Sequence, residues 1–106
     1  MAEVDYTTDI SKYTSSVEQK AVDGIVRFLG IALKSRDSSY VACSSKDELD
    51  RVRESFLKRK LKLADDDAAL DRHIAAVCEQ MKADASKHRV TFYYLLAEKA
   101  GKIGEL

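Results

Sequence analysis

Four side chains in this sequence have metal-ligating chemistry: Cys43, Cys78, His73 and His88. His73 and Cys78 are five residues apart, which puts them about 140° apart around a helix and on different faces. The chain has no Cys-x-x-Cys and no His-x₃-His pair, so the short-range ligand spacing of a zinc site is missing. No metal and no cofactor is expected. Cys78 reads instead as a small, buried, unpaired residue on a helix stripe. Cys43 stands just before a helix start at Ser45, a position that favours a thiolate. The apolar Tyr40, Val41 and Ala42 beside it disfavour the charged form, so a packed cysteine is the expectation. No serine occupies a Gly-x-Ser-x-Gly elbow.

The carboxylates are no more specific. Asp65, Asp66 and Asp67 stand at a helix start, where negative charge complements the dipole. A calcium loop counted from Asp65 needs Gly at its sixth position and Glu at its twelfth, but the chain has Leu70 and Ala76 there. The basic run Lys58, Arg59, Lys60 and Lys62 closes a segment, residues 46–62, with seven basic and four acidic residues, a balance of +3. Its acids come first and its bases last, the order a solvated helix prefers at its two ends. A helix-turn-helix reading would point the three aspartates at DNA phosphates, which they repel. The formal net charge of +0 also gives no field for polyanions. Nucleic acid is therefore disfavoured as a partner.

One stretch opposes the local electrostatic rule. Ser86, Lys87, His88 and Arg89 fall in the first turns of the last helix, where cations oppose the dipole. Free backbone N–H groups beside cations suit an anion, so Ser86, Lys87 and Arg89 form the candidate anion or phosphate site. The simpler reading caps that helix with Asp84 and pairs the cations with carboxylates of a neighbouring helix.

These residues must be positioned by helices. The 106 residues include no Pro and four Gly, with 45% hydrophobic and 34% charged residues. That length gives one domain, and the scarcity of turn formers argues against β-sandwiches and barrels. Apolar spacing predicts five helices. The first covers residues 5–14, carrying Tyr6, Ile10 and Tyr13. The second covers residues 16–33, with Val22, Ile25, Val26, Leu29 and Leu33 inward and Ser15 or Ser16 as cap. Gly24 would allow a close helix contact, and Gly30 would mark a bend. A polar connection over residues 34–44 follows. The third helix starts at a capping box, Ser45 with Glu48, and ends near residues 60–62; Leu49, Val52, Phe56, Leu57 and Leu61 face inward. The fourth starts at Asp65 or Asp66, with Leu70, Ile74, Val77, Cys78 and Met81 inward. The fifth covers residues 85–100, with Gly101 as its stop. Residues 1–4 and 101–106 are expected to fray.

Three stretches together resemble a known family. They are Val41-Ala42-Cys43-Ser44 leading into Glu48-Leu49-Asp50-Arg51-Val52-Arg53, then Phe56-Leu57-Lys58-Arg59-Lys60-Leu61, and Arg89-Val90-Thr91-Phe92-Tyr93-Tyr94-Leu95-Leu96. The chain is similar over residues 22–99 to the bacterial domain of unknown function 2853 family. The resemblance implies a small single-domain helical bacterial protein and carries no activity to transfer.

The expected architecture is an all-α, compact antiparallel bundle of four to five helices. The N-terminus is acidic without an apolar run, and no stretch reaches the ~20 apolar residues of a membrane span. A soluble, cytoplasmic, reduced protein follows. The expected function is non-catalytic action through contacts with a protein partner, with a monomer favoured over a homodimer. The last helix is apolar almost all round, so it is either the centre of the bundle or covered on its second face by another protein. In the latter case Phe92, Leu95 and Leu96 form the interface.

Overall fold

Residues 90–97 carry too much apolar surface for one stripe, and every one of them is buried. The computed structural model describes residues 6–15, 17–33, 39–84 and 87–106. Its helices are α1 (Tyr6–Ile10), α2 (Gln19–Leu29), α3 (Lys46–Val52), α4 (Asp67–Gln80) and α5 (Arg89–Lys99). Helix α3 runs directly into a π-helical segment, Arg53–Lys60, and 3₁₀ turns follow α2 at Gly30–Leu33 and α5 at Ile103–Glu105. The fold is all-α. Helix α5 packs against α1, α2, α4 and the π-helical segment. It is the central element, and the cover its second face needs comes from this chain.

Local chemistry explains most boundaries. Asp66 caps α4, its carboxylate accepting from the Ala69 N–H at 2.9 Å. Leu70, Ile74, Val77 and Met81 then recur on the buried side. The Ser45 hydroxyl caps α3 by accepting from the Glu48 N–H at 3.3 Å. The reciprocal half of the capping box is absent, because the Glu48 carboxylate is turned toward α5. Gly30, at φ +43, ends α2 earlier than its apolar stripe suggests. Helix α2 also starts later than expected, after Glu18, whose N–H donates to the Tyr94 hydroxyl at 2.8 Å; Ser16 lies outside the described residues. Helix α5 starts at Arg89, not near residue 85, and Asp84 does not cap it. Asp84 instead accepts from the Tyr13 hydroxyl and pairs with Lys12. Gly101, at φ +70, follows the end of α5 as expected. Ile103 and Leu106, in the stretch expected to fray, pack against the core. Leu106 comes so close to α2 that a Cβ on Gly24 would lie 2.8 Å from its backbone carbon. Residues 1–4 lie outside the described residues.

Two residues past the π-helical segment stands Lys62, a non-glycine residue at φ +56. There the Leu61 N–H reaches the Phe56 carbonyl at 2.9 Å and the Leu63 N–H reaches the Leu57 carbonyl at 3.0 Å. Left-handed backbone costs an L-residue roughly 1–2 kcal/mol, and glycine avoids most of that at some cost in unfolded-chain entropy. Lys62→Gly is therefore expected to raise stability by up to about 1 kcal/mol, read as a higher urea midpoint at unchanged slope. A lower midpoint would contradict this reading of the turn.

Candidate functional site

The residues of the expected anion site have the following places. Ser86 lies outside the described residues. The Lys87 ammonium donates to the Asp84 carbonyl at 2.9 Å. The Arg89 side chain turns inward, where only 10% of it is exposed, and forms an ion pair with Glu48. Its guanidinium also donates to the Tyr40 carbonyl at 3.1 Å and the Tyr93 hydroxyl at 3.3 Å. The cation that opposes the α5 dipole thus joins α5 to α3 and to the segment before it. This is the pairing of a cation with a neighbouring helix's carboxylate that the sequence offered as the simpler reading. Burial raises the pKa of the Tyr93 hydroxyl above its ordinary value, against a smaller opposing effect of Arg89.

The same region ties the segment before α3 to the head of α5. Tyr40 and His88 form an antiparallel β-bridge. The Val41 N–H donates to the Lys87 carbonyl, and the Arg89 N–H to the Ser39 carbonyl, both at 2.8 Å. The His88 ring lies 5.0 Å from that of Tyr40 and 5.8 Å from that of Tyr6. None of this pairing between distant segments has a local sequence signature.

Cys78 is not the unpaired core residue the sequence implied. It is half-buried and disulfide-bonded to Cys43, with Cα atoms 6.0 Å apart. Cys78 lies on α4 at the edge of its buried face, where the segment before α3 reaches it. An open groove of about 300 Å³ adjoins the bond, lined by Cys43, Lys46, Leu49, Asp50, Asp71 and Ile74, among others. Among the described residues, no group of three or more His, Cys, Asp or Glu side chains could hold a metal ion.

Several other carboxylates form surface pairs. Arg53 contacts Asp50 and Asp71 at 3.1 and 2.9 Å, and its own charge is reinforced chiefly by Asp71. Lys58 contacts Glu54 at 2.9 Å and Asp67 at 2.6 Å, holding both carboxyls below their ordinary values. Lys46 does the same to Asp50. A carboxylate with a depressed folded-state pKa stabilises the fold above its unfolded value, and that contribution fades as pH falls through the depressed value. Stability is expected to decline on acidification from about pH 4.5, the ordinary value for Glu54, and the decline should shrink in high salt. Denaturation midpoints at several pH values check this; midpoints flat down to about pH 3 would refute it.

Phe92, Leu95 and Leu96, the candidate interface, are 0%, 1% and 0% exposed within the chain itself. They present no surface to a partner in this arrangement. The exposed large hydrophobic residue among those described is Phe28, at 40%. It stands off the α2 stripe, its ring 5.8 Å from that of buried Phe56, with the Lys60 ammonium 5.7 Å from its centroid. Its off-stripe position on α2 is the sequence signal for its exposure.

The family described as protein of unknown function (DUF2853) matches residues 5–104. The chain belongs to the DUF2853 family. No match to a curated protein accompanies it. In this DUF2853 protein, no helix among the described residues is long and apolar enough to cross a membrane.

Proposed function

We propose that this DUF2853 protein is a monomeric, non-catalytic helical protein that acts by docking Phe28 into an acidic-rimmed apolar cup on another protein. The carrying observation is Phe28 itself, exposed on α2 beside the ammonium of Lys60. Aromatic residues and arginine are enriched at protein interfaces, and buried aromatic anchors are among their main energetic contributors. Exposed Arg27 and Arg59 adjoin these two residues in sequence and extend the basic surround. Arg89 is paired with Glu48, Arg53 with Asp71, and Asp84 with Tyr13. Arg89 turned inward to Glu48 favours this reading over an anion-binding one.

The test places a photo-reactive benzoylphenylalanine at position 28 in the native cell. A discrete adduct to one other protein, lost when Lys60 is changed to Glu, supports the proposal. Adducts only to a second copy of this chain, or adducts indifferent to Lys60→Glu, overturn it.

A further inference from the structure

We propose that Cys43 and Cys78 form a reversible thiol–disulfide exchange site, entered at Cys43 by a dithiol reductant. Two observations carry this. The first is access. Cys43 lines the open groove between the start of α3 and the middle of α4, and both cysteines are partly exposed. Exposed disulfides exchange with external thiols far more readily than buried ones, and access decides which sulfur is attacked.

The second is that the fold does not depend on the bond to hold its two ends in place. The segment carrying Cys43 is fixed to α5 by the bonds from Val41 N–H to Lys87, from Arg89 N–H to Ser39, and from the Arg89 guanidinium to the Tyr40 carbonyl. The helix carrying Cys78 is anchored by fully buried Leu70, Ile74 and Val77. Breaking the bond leaves both anchors intact. The two thiols stay near the 6.0 Å Cα separation of the bonded form, within the range a disulfide requires. The pair can therefore open and reclose without refolding.

The exchange balances as follows. One thiolate of the dithiol attacks Cys43 Sγ. The Cys43–Cys78 bond breaks, and its electron pair leaves on Cys78 Sγ, which takes a proton. The second thiol of the reductant, deprotonated, attacks the mixed disulfide at the reductant's own sulfur. Cys43 leaves as a thiolate and is protonated. Two electrons and two protons pass from the dithiol to the protein, and the dithiol ends as a disulfide.

The experiment equilibrates the intact protein in buffers of reduced and oxidised dithiothreitol, followed by alkylation and mass mapping. Cys43 and Cys78 are expected to label together in one reversible transition, while the far-UV spectrum keeps its helical amplitude throughout. Brief exposure to glutathione, a monothiol, should leave its adduct on Cys43 at least about ten-fold more often than on Cys78. Loss of helix on reduction would make the bond a structural clamp and overturn the proposal. Failure to reclose in oxidised buffer, or glutathione adducts divided evenly between the two sites, would overturn it as well.

Discussion

Phe92→Ala is expected to lower the stability of the monomer by about 3–5 kcal/mol, the range for truncating a buried Phe. Phe92 is 0% exposed, and so are Val90, Leu96 and Ala97 on the same helix. Helix α5 is enclosed by α1, α2, α4 and the π-helical segment, so no single neighbour can move in to fill the space without disturbing the others. The cost is therefore the lost burial of the ring plus most of the cavity it leaves. Lys99→Ala, at an exposed position on the same helix, should fall within about 0.5 kcal/mol of the wild type. Urea denaturation with sedimentation of the same samples makes the measurement. Unchanged stability with an altered sedimenting mass would return Phe92, Leu95 and Leu96 to the role of an interface.

The second large effect belongs to the ion pair between α3 and α5. Glu48→Ala is expected to cost about 2–4 kcal/mol, somewhat below the range for a fully buried pair. The discount reflects side-chain exposures of 13% for Glu48 and 10% for Arg89. Removing Glu48 takes the counter-charge from a guanidinium that also donates to the Tyr40 carbonyl and the Tyr93 hydroxyl. Replacing both partners by apolar residues, Glu48→Leu with Arg89→Met, should recover part of the loss, because no charge is then left without its counter-charge. A double-mutant cycle reads the coupling directly. Additive effects of the two single changes, within about 0.5 kcal/mol, would show that the pair does not tie α3 to α5.

Local signals in the sequence were reliable where one segment decided the outcome. The stripe through Leu70, Ile74 and Val77, the Asp66 cap and the Gly101 stop appear as their residue types dictate. The β-branched and aromatic residues 90–94 are helical because burial on all sides of α5 outweighs strand propensity. Pairings across long sequence separations left no such trace. Glu48 and Arg89 are 41 residues apart and Cys43 and Cys78 are 35 apart, so neither periodicity nor motif spacing could join them. That is why Glu48 read as half of a capping box and Cys78 as an unpaired core residue. The rule-breaking cation was legible, since Arg89 at the head of α5 did mark something unusual. Its partner was a carboxylate of this chain, and the opposing charge is a feature of the core.

We propose different aromatic residues for folding and recognition, Phe92 inside and Phe28 outside. The most direct test of that assignment is the affinity of the protein captured at position 28 for the wild-type chain and for Phe28→Ser, measured beside their denaturation midpoints. The account predicts binding weakened at least about ten-fold, or roughly 1.4 kcal/mol, with stability changed by less than that. Equal affinities for the two chains would contradict it.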